Sequence, residues 1–271
     1  MGLVYAIANQ KGGVGKTTTV VNLAAYFGAR GKRVLCIDID PQGNTTTGLG
    51  IKKRSLTASS YHVLNGSAKI ADVIQQTEYE NVSIVPARDE LAGCELELSQ
   101  MEYRATRLRM QLLTCKADYD YILIDCPPAL GLLTLNGLAA ADEIIVPMTA
   151  EFYALEGLSQ LMTTMKAVRA NLNPSLKIAG ILFVMFDPRL NVSRQVEEEV
   201  AKYFPNQIFR TKIPRNVRLS EAPSYGKPVM YYDKNSKGAE AYAKLGMELL
   251  GETPPPKEKK RFQLFHRKNK N

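Results

Sequence analysis

Lys11-Gly-Gly-Val-Gly-Lys-Thr-Thr18 is the stretch that decides the fold. An apolar, β-rich run from Leu3 to Ala8 leads into it. A stretch with helical periodicity leads out, with Val20, Val21, Leu23, Ala24 and Phe27 as its apolar positions. A strand–loop–helix setting lets a glycine-rich loop bind phosphate rather than merely turn. Gly12, Gly13 and Gly15 permit dihedrals that a side chain forbids, so consecutive N–H groups, through Val14 to Thr18, can point at an anion. Lys16 then reaches the β- and γ-phosphates of ATP, and the Thr17 hydroxyl holds Mg²⁺.

The usual pattern, Gly-x4-Gly-Lys-Ser/Thr, fails at its first position. Five residues before Gly15 stands Gln10, and Lys11 follows it. The loop therefore matches the deviant Walker A form, with an additional lysine. From the residues alone, Lys11 reads equally well as a solvated surface charge, because it does chemistry only if something holds it over phosphate.

The 271 residues suffice for one large α/β domain with a substantial core. Hydrophobic content of 45% and charged content of 23% are ordinary for a globular protein. No run of 18 apolar residues occurs, so neither a leader nor a membrane span is expected. Cys36, Cys94, Cys115 and Cys126 show no CxxC spacing, and His62 and His266 are the only histidines. This argues against structural zinc, a disulfide framework and a Ser/His or Cys/His nucleophile, and it suits a cytoplasmic protein with reduced thiols.

The net charge of +8 is unevenly placed. Residues 1–188 hold 17 basic and 18 acidic side chains, whereas 189–237 hold 10 and 5. Residues 257–271 hold seven Lys/Arg against Glu258 alone. Positive charge confined to the C-terminal third suggests an anionic partner separate from the nucleotide.

Strand-like runs occur at Leu3–Ala8, Arg33–Asp38, Val82–Pro86, Tyr121–Asp125, Glu143–Pro147 and Ile178–Phe186, with a shorter one near Gln207–Lys212. Helical periodicity covers 16–30, 89–115 (broken), 132–141, 154–172, 191–204 and 238–250. Strands rich in Ile, Leu and Val without polar alternation belong to a sheet covered on both faces. The alternation predicts an α/β fold: a doubly wound, mostly parallel sheet with helices on both faces, of the P-loop NTPase type. One ATPase domain is expected over 1–253, with Pro254–Pro256 ending it and a disordered basic tail beyond.

Two apolar strands close in aspartate. Val34-Leu-Cys-Ile-Asp38 runs into Ile39-Asp40-Pro-Gln-Gly-Asn44, and Tyr121-Ile-Leu-Ile-Asp125 runs into Cys126-Pro-Pro128. An apolar strand ending in Asp beside a phosphate loop is the Walker B arrangement, and Asp125 is the expected Mg²⁺ ligand. Asp40, on a Gly/Asn/Thr segment one crossover after Lys16, suits positioning of the attacking water. Asp-Pro also reads as a plain turn.

Asn9-Gln-Lys-Gly-Gly-Val-Gly-Lys-Thr-Thr18, Asp38-Ile-Asp-Pro-Gln-Gly-Asn44, Ile124-Asp-Cys-Pro-Pro128, Tyr153-Ala-Leu-Glu-Gly-Leu158 and Ile213-Pro-Arg-Asn-Val-Arg-Leu-Ser-Glu-Ala-Pro223 together resemble the ParA/Soj-type partition ATPases of the deviant Walker A group. The resemblance runs in order from the start of the chain to about residue 250. It implies a nucleotide-dependent homodimer in which Lys11 crosses to the partner subunit's ATP and Gly12 lies where the two loops nearly touch. It further implies that Asp40 supports slow hydrolysis and that Pro214, Arg215 and Asn216 flank the adenine. The ATP dimer would bind double-stranded DNA non-specifically, and a ParB-type partner would trigger hydrolysis and release. Such a protein acts in chromosome or plasmid segregation or replication initiation, and is nucleoid-associated when ATP-bound.

The basic third supports the DNA reading: Arg189, Arg194, Lys202, Arg210, Lys212, Arg215, Arg218 and Lys227 fall within 40 residues. From charge alone a solvated basic face is an equal reading. Arg189 and Arg218 match DNA-facing positions of the relatives. The tail segment Lys257 to Lys268 carries Phe262, Leu264 and Phe265 among basic residues. A DNA-binding arm or solubilising tail is favoured over a membrane-binding helix of the MinD kind. The remaining alternative is a metabolic ATP-dependent enzyme on the same fold.

Overall fold

The computed structural model describes residues 2–252. In chain order the elements are β1 (Leu3–Ile7), α1 (Lys16–Ala29), β2 (Val34–Asp38), α2 (Asn44–Gly48), α3 (Ser60–Asn65), α4 (Ile70–Val73), β3 (Gln75–Gln76), β4 (Val82–Val85), α5 (Cys94–Ser99), α6 (Arg107–Leu112), β5 (Tyr121–Asp125), α7 (Leu132–Ala140), β6 (Glu143–Thr149), α8 (Ala154–Asn171), β7 (Lys177–Val184), α9 (Asn191–Tyr203), α10 (Val217–Glu221), α11 (Val229–Tyr232) and α12 (Lys237–Leu249).

The sheet order is β3-β4-β2-β5-β1-β6-β7, parallel except for the antiparallel edge pair β3·β4. Successive strand residues feed opposite cores. Val4 and Ala6 of β1, Leu35 and Ile37 of β2, and Ile122 and Ile124 of β5 join a core shared with α3 to α9. Tyr5, Ile7, Val34, Cys36 and Leu123 join the other, shared with α1 and α12. Both faces are thus apolar, which is why the strands show no polar alternation. The chain leaves β1 toward β2 on one side and reaches β6 and β7 on the other. The carboxyl end of β1 is therefore a topological switch point, where a crevice for a ligand forms.

Several boundaries differ from the sequence expectation. Gln207–Lys212 is not a strand: Ile208 bridges to Ile181 and Pro214 to Phe186, but only as isolated contacts. The Glu248 carboxylate takes the N–H groups of Arg210 and Thr211 at 2.8 and 3.0 Å, so they make no strand ladder. β7 stops at Val184, and Met185 turns into the left-handed region at φ 51°. The stretch over 89–115 is broken, as expected, into two short helices, α5 and α6, and Tyr103 between them has φ 54°. β3 is two exposed glutamines, too short and too polar for any periodicity to reveal. The expected end of the fold at Pro254–Pro256 and the basic tail lie outside the described residues.

Candidate nucleotide site

The loop after β1 is anchored before it turns. Asn9 donates through Nδ2 to Pro147 O at 2.7 Å and accepts from Lys11 N at 3.0 Å, tying the loop to β6. Val14 is buried, and Gly13 and Gly15 have φ values of 71° and 74° that only glycine adopts without strain. A Cβ at Gly12 or Gly13 would meet nothing within 4 Å. Gly15 caps α1 without a side-chain acceptor, and the first turn carries no acidic residue. The first N–H groups of α1 therefore have no partner of their own, as an anion site requires. Lys16 opens the helix, is 7% exposed, and donates to Lys11 O at 3.2 Å. Burial lowers its pKa, while Asp125 and Asp40 oppose that shift.

Asp38 and Asp125 are register partners at the ends of β2 and β5, and both are fully buried. The Thr17 and Thr45 hydroxyls each donate to Asp125 Oδ2 at 2.7 Å. Asp125 Oδ1 is buried and has no hydrogen-bond partner. Burial raises the pKa of both carboxyls. At Asp38 the neighbouring Asp125 adds to the rise, and at Asp125 the two threonine hydrogen bonds offset part of it. A divalent cation suits this site, because it would occupy the bare oxygen beside a hydroxyl and cancel the charge that burial penalises. Asp40 is 7% exposed, and its Oδ1 accepts from Gln42 N at 2.9 Å.

Pro214, Arg215 and Asn216 line a cavity of about 430 Å³ whose wall also includes Gly15, Thr18 and Met185. The cavity thus joins the loop at Thr18. Asn216 also caps α10, accepting from Arg218 N. A larger cavity of about 1000 Å³ between Phe186, Arg210 and α12 shares Pro214 with the 430 Å³ cavity but includes none of the phosphate-loop residues. Lys11 is held by Glu151, in the loop after β6. Arg189 pairs with Asp187 at 2.7 Å, and Arg218 pairs with Glu221 at 2.7 Å and Asp233 at 3.2 Å. Neither arginine lines the 430 Å³ cavity.

Sequence reasoning missed Thr45, Thr46, Asp38 as a loop anchor, and Glu151. The Asn44-Thr-Thr-Thr47 run reads as flexible until the tertiary structure sets two of its hydroxyls against two buried carboxylates. Glu151 lies 140 positions from Lys11 and carries no local signal.

A family model described as an AAA domain matches residues 2–178. The sporulation initiation inhibitor protein Soj of Bacillus subtilis (strain 168) is 53% identical over 249 residues, spanning 92% of this chain and 98% of that protein. The chromosome partitioning protein ParA of Myxococcus xanthus (strain DK1622) is 51% identical over 261 residues, spanning 96% and 92%. Among solved structures, the cobyrinic acid a,c-diamide synthase of Mycobacterium smegmatis with bound ADP and magnesium superimposes with a TM-score of 0.81 at 38% identity, spanning 92% of this chain and 94% of that one. A doubly wound sheet with a deviant phosphate loop, matched over nearly its whole length by Soj and ParA proteins, places this chain in the Soj/ParA family of chromosome-partitioning ATPases.

Proposed function

We propose that the protein is an ATP-driven partition switch that binds DNA in its ATP state and is released by partner-stimulated hydrolysis. The observation that carries the catalytic half is the bare Asp125 Oδ1 beside the Thr17 hydroxyl, at the mouth of an uncapped helix whose first residue is Lys16. On this reading the N–H groups from Gly13 to Thr18 and the Lys16 ammonium bind the phosphates of ATP. Thr17 and Asp125 hold Mg²⁺. When bound, the metal neutralises phosphate charge and polarises the terminal phosphoryl group. Asp40 orients the attacking water, and Pro214, Arg215 and Asn216 flank the base. Lys11 exchanges Glu151 for the partner subunit's ATP as two copies close over their Gly12 loops.

Arg189 and Arg218 serve DNA phosphate, with no base readout. Pairing of two copies doubles the positive charge on one surface, which makes DNA affinity depend on ATP. A ParB-type protein then stimulates hydrolysis, in segregation of a chromosome or plasmid and in control of replication initiation. The ATP form resides on the nucleoid in the cytoplasm. Identities of 53% and 51% to partition proteins, against 38% to the diamide synthase, favour this reading over a biosynthetic one. Among the described residues no helix is long and apolar enough to cross a membrane. The amphipathic-tail alternative falls on residues outside that set.

The test is a salt titration of binding to random-sequence duplex DNA, with ATP and with ADP, in an Asp40→Ala background that stops turnover. Tight, salt-sensitive binding with ATP alone is expected. Absence of binding, or binding that ignores the nucleotide and vanishes when residues 257–271 are deleted, overturns the switch.

A further inference from the structure

Asp38 is fully buried and stands beside Asp125, yet its hydrogen bonds all go to the segment that carries Asp40. Its Oδ1 accepts from Asp40 N at 3.2 Å. Its Oδ2 accepts from Thr46 N at 2.8 Å and from Thr46 Oγ1 at 2.7 Å. One carboxylate therefore ties both ends of the 40–46 segment. The Thr46 hydroxyl also accepts from Ala87 N at 2.8 Å, which fixes the clamp to the chain after β4. Within the segment, Gly43 N donates to Asp40 O at 2.8 Å and Gln42 N to Asp40 Oδ1 at 2.9 Å. The neighbouring Thr45 is held separately by Asp125.

We propose that Asp38 is a positioning residue for ATP hydrolysis: by clamping Asp40 N and Thr46 it sets where the Asp40 carboxylate stands relative to the phosphate loop. This rests on the reading of Asp40 as the residue that orients the attacking water. The division of labour follows from hydrogen-bond capacity. Asp125 keeps an oxygen free for a cation, whereas both Asp38 oxygens are engaged by the segment. A displacement of about 1 Å in a water-orienting group costs on the order of a hundredfold in rate, so a clamp of this kind acts on turnover before it acts on binding.

The full-length protein tests this through steady-state phosphate release, Mg²⁺-dependent binding of a fluorescent ATP analogue, and thermal unfolding. Asp38→Asn replaces one accepting oxygen with a donor, so at least one of the three hydrogen bonds is lost. It is expected to lower kcat by about tenfold or more while the nucleotide dissociation constant stays within about threefold. Thr46→Val shifts kcat the same way, and Thr46→Ser, which keeps the hydroxyl, recovers most of the loss. Should Asp38→Asn not fold, the contrast between the two Thr46 variants decides the matter.

A folded Asp38→Asn protein with parental kcat overturns the proposal. So does a nucleotide affinity that falls in step with kcat, or a Thr46→Ser variant as impaired as Thr46→Val. Asp40→Ala separates the two levels. If it hydrolyses ATP at the parental rate, the reading of Asp40 fails. If it stops hydrolysis while folded Asp38→Asn keeps the parental kcat, only the positioning role fails.

Discussion

Lys11 Nζ lies 2.5 Å from Glu151 Oε2 within the same chain. The extra lysine of the phosphate loop thus has a counter-ion on the loop after β6, and the hydrogen bond from Lys11 lowers the Glu151 pKa. The two side chains are 37% and 58% exposed, so solvent screens the pair and its contribution is about 0–1 kcal/mol. Glu151→Gln should leave folding stability nearly unchanged. It should also lower the ATP concentration for half-maximal dimer formation by up to about fivefold, because Lys11 no longer has to leave a partner. Light scattering during size-exclusion chromatography reads both this and the loss of dimer expected for Lys11→Ala. An unshifted Glu151→Gln midpoint would mean the pair does not restrain Lys11.

On the proposed reading, Asp125 would link metal binding to stability. Its raised folded pKa means that the folded protein holds a proton at pH values where the unfolded chain, titrating near about 3.9, has lost it. Stability of the nucleotide-free protein therefore falls as pH rises from about 4 through the raised folded value. Asp125→Asn should flatten that fall and raise the unfolding temperature at pH about 8, while weakening Mg²⁺-dependent nucleotide binding by about tenfold or more. Thermal melts across pH without nucleotide check the first half. A melting temperature independent of pH in the parent would contradict it.

On the proposed reading, Gly12 would separate folding from assembly. A Cβ there meets nothing within 4 Å, and its backbone is outside the left-handed region, so the single chain has room for a side chain. Gly12→Val should fold, bind ATP and fail to dimerise if the two loops approach closely. Gly13→Val should instead be destabilised by about 1–2 kcal/mol, because φ at Gly13 is 71°. Nucleotide-dependent sedimentation of the two variants distinguishes these outcomes, and a Gly12→Val dimer would remove Gly12 from the interface.

Arg189 and Arg218 both sit in ion pairs, so their charges are partly neutralised within the chain. Arg189→Ala and Arg218→Ala should each weaken binding to random-sequence duplex and reduce the slope against log salt by about 1. Asp187→Asn frees Arg189 and should strengthen binding. Fluorescence anisotropy at several salt concentrations measures all three, and an unchanged slope would remove the arginine in question from the DNA face.

The chain's local signals were enough for the architecture and for half of the candidate site. Glycines at 12, 13 and 15 followed by Lys16 and Thr17, and apolar runs closing at Asp38 and Asp125, are contiguous patterns whose meaning comes from strand and helix periods alone. The sheet's strand order was not written in them, nor was the failure of Gln207–Lys212 to form a strand, which turns on a carboxylate from α12. Tertiary structure alone decided the pairing of Lys11 with Glu151, the meeting of Thr17 and Thr45 at one oxygen of Asp125, and the closure of the Asp40–Thr46 segment on Asp38. For the first two the physical reason is the parallel crossover, which brings to one end of the sheet residues that lie 80 to 140 positions apart. The closure on Asp38 spans only 2 to 8 positions, but its side-chain hydrogen bonds follow neither the strand nor the helix period.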